Sequence, residues 1–415
     1  MFNYRLIYFL IIFLLISNFS YAEITLEELV SEALENNPRI QAAYEEWKSQ
    51  EYSARVVSSL DDPMLSYTYF GESIETRVGP QEHKYGISQK LPFPGKLNLK
   101  RKSGDAKASI ASEKYEARKL EVITELKKSF YDLFWVDKAI QVTEEEKAIL
   151  ESLEKVAERK YEANLAPQHD AIKAQLEISA LIDRLYLLKE RRAGLSAKVN
   201  ILLGRKSGEE IDKITEVKTL EFNYKKTDLQ AKARDASQGL KAAQFNIEKT
   251  GYDKSLAKLE YLPDFTLGFD YIEVGGGETT QVNDGDDAWM ATVKVNFPLW
   301  MGKKHSFYKE KSSNLDASRK MYQDSENNLH FSIEDLYFKI ESYYNIISLY
   351  DTALVPQAEQ SFDAARTAYE SGKIDFLNWL DAERMLLKTR LAHYQAIVDY
   401  NKAIADLEKV VGEEL

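Results

Sequence analysis

Five histidines, His83, His169, His305, His330 and His393, are the side chains best suited to hold a metal or carry a proton. None of them stands at a spacing that metal ligation uses, so no metal site is expected. The chain has no cysteine, which excludes thiolate zinc sites, disulfides, a cysteine nucleophile and lipidation on cysteine. Asn283-Asp284-Gly285-Asp286-Asp287 has the composition of a calcium loop but lacks its ligand spacing and distal glutamate, and reads as a polar loop. Gly275-Gly276-Gly277 does not open a helix and so cannot cradle a phosphate. No Gly-x-Ser-x-Gly elbow occurs. A net charge of −12 disfavours a nucleic-acid surface, which needs a basic excess. The expectation is a protein that is not an enzyme and carries no cofactor. The chemistry left to explain is charge placed on alternating strands and helix-ending residues placed at hairpin tips.

The elements carrying those residues follow a leader. Arg5 precedes an apolar run, Leu6 to Ile16, of 11 residues. That is too short to span a bilayer and suits the core of a secretory signal. Ser20-Tyr21-Ala22 places cleavage after Ala22, making 1–22 a signal peptide. No later segment is apolar enough for a transmembrane helix, which leaves a soluble secreted protein or a β-barrel.

The remainder repeats at an offset near 200 residues. Asp62-Pro63-Met64-Leu65 answers Leu262-Pro263-Asp264-Phe265. Leu91-Pro92-Phe93-Pro94-Gly95-Lys96 answers Phe297-Pro298-Leu299-Trp300-Met301-Gly302-Lys303. The segment from Ala157 to Asn164 answers Ala365 to Gly372, and Leu203-Gly204-Arg205 answers Val411-Gly412-Glu413. Four landmarks in the same order indicate duplication. The first repeat is 23–205, with a helix, strands at about 63–71 and 83–91, a long helix at about 97–163 and a helix at about 168–203. A linker covers 206–227. The second repeat is 228–415, with a helix, strands at about 264–274 and 288–297, a long helix at about 303–371 broken near Pro356, and a helix at about 375–411.

From Leu97 to Ala163 there is no proline and Gly104 is the only glycine. At 1.5 Å per residue such a helix is about 100 Å long and needs partners along its length. Leu329, Ile333, Leu336, Ile340, Tyr343, Ile347, Tyr350 and Leu354 alternate steps of four and three, the period of a left-handed coiled coil. Ile178, Leu181, Leu185, Leu188, Leu195, Val199 and Leu202 fit the same grid, with Arg192 at its one polar position. The strands alternate. Phe265, Leu267, Phe269 and Tyr271 share one face of theirs, and Thr266, Gly268 and Asp270 the other. Lys84, Lys90, Lys294 and Asp270 stand on faces that an apolar core would reject. A wet lumen would accept them, as would a half-exposed sheet with its polar face in solvent. Four strands cannot close a membrane barrel, which needs about eight. If they span a membrane, several chains must share one barrel.

The duplicated plan, the junction Gln89-Lys90-Leu91-Pro92-Phe93-Pro94-Gly95-Lys96 and the turns at Tyr161-Glu162-Ala163-Asn164-Leu165-Ala166-Pro167 and Tyr369-Glu370-Ser371-Gly372-Lys373-Ile374-Asp375 together resemble the TolC family of outer-membrane efflux and secretion channels. The resemblance covers the whole mature chain. It implies a mainly α fold with a β-barrel part. Each chain would contribute four transmembrane strands and a coiled-coil α-helical tunnel, and three chains would complete one barrel. It also implies the outer membrane of a Gram-negative-type cell, a long periplasmic extension, and two partners: a periplasmic adaptor and an inner-membrane pump. The Pro-Phe-Pro-Gly junction is similar to that of the branch serving cation and heavy-metal efflux pumps. Polypeptide export by type I secretion is the alternative cargo. A secreted coiled-coil structural protein is the alternative of another class.

The resemblance also assigns residues. The hairpin tips, with Tyr161, Asn164, Pro167, Tyr369, Gly372, Lys373 and Asp375, would dock the adaptor. Gly372 and Asn164 tolerate the left-handed conformation that ends a helix, and Pro167 and Asp375 suit the first turn of the returning one. Two acids that ring the constriction in the family fall here on Asn378 and Asp381, so one is replaced. Trp289 and Trp300, near the two ends of the last strand, suit membrane-interface girdles.

Overall fold

The computed structural model describes residues 25–276 and 282–415. The leader and its cleavage site after Ala22 lie outside the described residues. The elements are α1 (Leu26–Asn36), α2 (Pro38–Val57), β1 (Met64–Thr76), β2 (Gly79–Leu91), α3 (Lys96–Glu162) and α4 (Gln168–Leu203), then α5 (Lys226–Ala236), α6 (Gln238–Leu259), β3 (Asp264–Val274), β4 (Ala288–Asn296), α7 (Met301–Leu349), a π turn (Tyr350–Leu354), α8 (Val355–Glu370) and α9 (Phe376–Val411). The same order of elements thus occurs twice. Each occurrence opens with two helices where the repeat plan has one. At the first break Asn37 is extended and Pro38, which lacks an N–H, starts the next helix. The Asn37 side chain fills the gap: Nδ2 donates to the Leu202 carbonyl at 2.7 Å and Oδ1 accepts from the Arg39 N–H at 2.9 Å.

The chain forms two compact units. One holds Ala42–Ala117 and Ala236–Leu329; the other holds the chain up to Gln41, Arg118–Asp235 and His330–Leu415.

In the first unit the four strands form one antiparallel sheet in the order β1-β2-β3-β4. Its hairpins are held to the helices by one buried cation. Lys96, at the end of the Pro-Phe-Pro-Gly junction, has a side chain only 4% exposed and lies 2.8 Å from Asp264 and 3.6 Å from Glu260. Asp264 also accepts from the Phe93 N–H at 3.0 Å, and Glu260 pairs with Lys304 at 3.1 Å. Both strand-to-helix junctions therefore meet at one charge cluster. Gly104 permits α2 to lie against α3: a Cβ there would stand 2.8 Å from the Ala54 Cα.

In the second unit the core is helical. Val136, Ile140, Leu150, Leu181, Leu185, Phe362, Trp379, Leu386 and Leu391 belong to one buried cluster drawn from α3, α4, α8 and α9. Burial of these side chains is the main stabilising term, at about 25 cal/mol per Å² of apolar surface. Arg192, the polar position in the heptad grid, has a specific role. Its Nε donates to Asp137 at 2.6 Å and its Nη2 to the Ile211 carbonyl at 3.0 Å, while Asp137 Oδ2 accepts from the Ile214 N–H at 3.0 Å. This pair, together with Asn200 donating to the Glu209 carbonyl and Tyr400 to the Leu220 carbonyl, fastens a connecting segment that has no helix or strand of its own. Near Pro356 the interruption takes the form of the π turn. Proline cannot donate to the carbonyl four residues back and its ring crowds that carbonyl, so the five residues Tyr350–Leu354 widen to π spacing and the helix continues.

Candidate functional site

The sheet register separates two faces. Leu65, Ile87, Phe269 and Ala291 are aligned across the four strands, as are Tyr67, Tyr85, Tyr271 and Trp289. Leu267 with Val293 and Phe265 with Val295 continue the same face. Most of these side chains are exposed in the single chain, Val293 at 66%. So broad an apolar patch is not a feature of ordinary soluble surfaces. The other face carries Ser66, Lys84, Ser88, Lys90, Thr266, Asp270, Thr292 and Lys294, with Lys84 3.2 Å from Asp270. One side of the sheet suits hydrocarbon and the other water, and β1 and β4 each leave an edge unpaired within the chain.

Trp289 and Trp300 are both exposed, Trp289 in β4 and Trp300 just before α7. Trp289 stacks on Phe269 and closes the row Tyr67–Tyr85–Tyr271–Trp289. The sequence places these tyrosines on the alternating faces of their strands but not side by side. Their alternation was visible there, but only cross-strand register lines them into a belt. His83 joins it, its Nδ1 2.9 Å from the Tyr67 hydroxyl.

The two hairpin tips belong to the helical unit and are built alike. Asn164 has φ 59°, the one non-glycine residue with positive φ among the described residues, and Gly372 has φ 74°. At the first tip the Asn164 N–H donates to the Tyr161 carbonyl and the Leu165 N–H to the Lys160 carbonyl, at 2.9 and 2.7 Å. At the second the Gly372 N–H donates to the Tyr369 carbonyl and the Lys373 N–H to the Ala368 carbonyl, at 3.0 and 2.8 Å. Both are Schellman closures, which satisfy the last carbonyls of a helix and require a left-handed residue. Pro167 and Asp375 stand one position earlier than the first turn. Each is the extended N-cap of the returning helix. Asp375 takes the cap because its carboxylate accepts from the Asn378 N–H at 2.9 Å, three residues on.

The tips differ in what they present. Tyr161 is 45% exposed whereas Tyr369 is only 3% exposed. Tyr369 packs edge-on against Phe376, with Lys160 Nζ 4.2 Å above its ring. Lys160 also donates to the Tyr369 carbonyl, so it ties one tip to the other. Burial pushes the Tyr369 hydroxyl up to about 12. Asn164, Pro167, Gly372, Lys373 and Asp375 are exposed. Asn378 and Asp381 lie on the exposed side of α9, opposite Trp379, Leu380 and Glu383. The Asn378 amide also donates to Asp375 at 2.8 Å, so it is engaged in the cap, whereas Asp381 makes no side-chain ion pair among the described residues. Among those residues no group of three or more His, Asp or Glu could hold a metal. No described helix is long and apolar enough to cross a membrane.

Substituting valine for Gly372 or Asn164 forces a β-branched residue into the left-handed region, at a cost of about 1–2 kcal/mol or more. Both variants are expected to reach the membrane at wild-type levels and to lose export, read as cargo retained in cells. Unchanged export in both would count against the docking role expected of the tips.

A sheet with one lipid-suited face and a polar opposite face, joined to long paired helices, defines an outer-membrane channel subunit. The chain belongs to the outer membrane efflux protein family, whose model matches residues 29–205 and 229–413. Its fold is shared by VceC, an outer membrane protein of Vibrio cholerae, at TM-score 0.78 and 18% identity over 94% of this chain and 96% of that one. CusC gives TM-score 0.78 and 16% identity over 94% and 92%. A 59-residue stretch is 32% identical to the cobalt-zinc-cadmium resistance protein CzcC of Cupriavidus metallidurans, and this match spans 14% of each chain.

Proposed function

We propose that three copies of this chain form one twelve-stranded barrel in the outer membrane, continued by a helical tunnel. The assembly serves as a passive conduit, and energy comes from an inner-membrane pump reached through a periplasmic adaptor. The observation that carries the reading is the two-faced sheet with its unpaired edges. An apolar face this exposed suits lipid, and lipid does not tolerate open edges, so closure of one barrel by several copies accounts for both features. Exposed Leu165 and Tyr161 at the first tip, and Lys373 at the second, offer an adaptor both apolar and charged contacts. Tyr369 would act from beneath, by holding the second tip in shape. Trp289, Trp300 and the tyrosine row would sit at membrane interfaces.

The cargo we propose is cations or other small solutes. CzcC is named for cobalt, zinc and cadmium resistance, and the polar sheet face, on which Lys84 pairs with Asp270, suits a wet lumen. Asp381 would supply three carboxylates at the constriction, where grouped negative charge concentrates cations.

Planar-bilayer recordings of the purified channel test this. The wild type is expected to prefer cations. Asp381→Asn, which removes the charge at nearly constant volume, is expected to lose most of that preference and to weaken block by multivalent cations. Asp399→Asn serves as the control and is expected to do little. Equal selectivity in wild type and Asp381→Asn would place the constriction elsewhere.

A further inference from the structure

Glu146 on α3 and Glu383 on α9 are buried, at 0% and 2% exposure. They come from different repeats, and their carboxyls lie within hydrogen-bonding reach of each other. Within a helical turn or so the buried neighbours are apolar, Val142 and Leu150 on α3 and Trp379, Leu380, Leu386 and Leu387 on α9, except Thr143, whose hydroxyl donates to the Ala139 carbonyl at 2.6 Å. No protein donor satisfies either oxygen of Glu146 or Oε1 of Glu383.

The nearby cations are already engaged. On α9, Arg390 pairs with Glu359 of α8 at 3.0 Å and with Glu145 of α3 at 3.5 Å, and Arg384 pairs with Glu177 of α4. Among the described residues Arg390, Glu145, Glu177 and Arg384 act on the pair from α3, α4 and α9, and Glu359 of α8 stands behind Arg390, five charged groups in all. Three of them are acids and two are bases, so they leave no positive charge for two further carboxylates. Two bare carboxylates facing each other in such a place would repel strongly, and burial would penalise each of them.

We propose that Glu146 and Glu383 form a proton-binding clasp that joins α3 to α9 and opens when its protons leave. A protonated carboxyl donates to its neighbour, which satisfies oxygens that nothing else reaches. Burial raises both carboxyls above their ordinary range, and at Glu383 the facing Glu146 adds to the rise. A carboxyl with a higher pKa in the packed state holds its proton more tightly there than in an opened one. The clasp is therefore at full strength below the ordinary carboxylate pKa and weakens as pH rises through the raised range of the pair. The helical part thus carries a built-in response to proton concentration. This inference does not depend on the conduit reading or its cargo.

The test uses the full chain in lipid or detergent. Infrared spectroscopy of the wild type near neutral pH should show the band of a protonated, buried carboxyl that fades on alkalinisation. Glu146→Gln/Glu383→Gln, which mimics the protonated pair, should lack it. Amide hydrogen exchange in α9 around Glu383, corrected for intrinsic rates, should report an opening constant that rises about tenfold per pH unit for each proton released, from neutral to mildly alkaline pH. In the double variant that slope should vanish. A wild-type protein with no such infrared band at neutral pH would overturn the clasp, as would an unchanged exchange slope in the double variant. If the double variant does not fold, the wild-type band decides alone.

Discussion

Val293→Arg is expected to abolish most assembly of the protein in the outer membrane, while Thr292→Arg, one residue away, is expected to be tolerated. Val293 is aligned with Leu267 on the apolar face and Thr292 with Gly268 on the polar face. An arginine facing lipid near the bilayer midplane costs about 2–4 kcal/mol, and a symmetric trimer carries that cost three times. An arginine facing a water-filled lumen keeps its hydration. The comparison separates lipid from water as the solvent of that face. In a water-soluble sheet, Val293 at 66% exposure would accept arginine with a change within about 0.5 kcal/mol. The measurement is the amount of heat-resistant oligomer in outer-membrane fractions. Equal yields for the two variants would refute the lipid-facing assignment.

Lys96→Met is expected to destabilise the protein by about 3–5 kcal/mol per chain, the usual consequence of removing one partner from a buried ion pair. The loss exceeds that of a surface bridge because Lys96 is 4% exposed and serves Asp264, Glu260 and the Leu262 carbonyl together. Methionine keeps the volume but leaves Asp264 with only the Phe93 N–H. The double variant Lys96→Met/Asp264→Leu should recover part of the loss, because replacing both partners removes the uncompensated charge. Thermal dissociation of the purified oligomer measures both. A Lys96→Met protein as heat-resistant as wild type would show that the cluster contributes no net stability.

Lys96 also marks where sequence reading stops. The junction around it was conspicuous, but its partner Asp264 lies 168 residues away, and no local pattern ties the two together. What was legible rests on short-range physics. Strand alternation with period two, heptad spacing along Leu329–Leu354, and Gly372 and Asn164 as helix terminators are each fixed by neighbouring residues. Arg192 was visible as an odd polar position, but its purpose depends on a connecting segment that has no regular structure and so no periodic signal. Tyr161 and Tyr369 occupy equivalent places in the duplication, yet one is exposed and the other buried. Duplication copies the backbone plan, whereas burial depends on what packs against each copy, and Phe376 and Lys160 cover only Tyr369. Glu146 and Glu383 carry no signal in the sequence for a similar reason. Each alone is an ordinary glutamate on a helix, and only their packing makes them a pair.

The central claim is that separate copies of this chain close one membrane barrel, and the mass of the detergent-extracted protein tests it most directly. Light scattering or native mass spectrometry should give three chains per particle, with no folded species once detergent is withdrawn. A well-folded monomer that stays in solution without detergent would contradict the account.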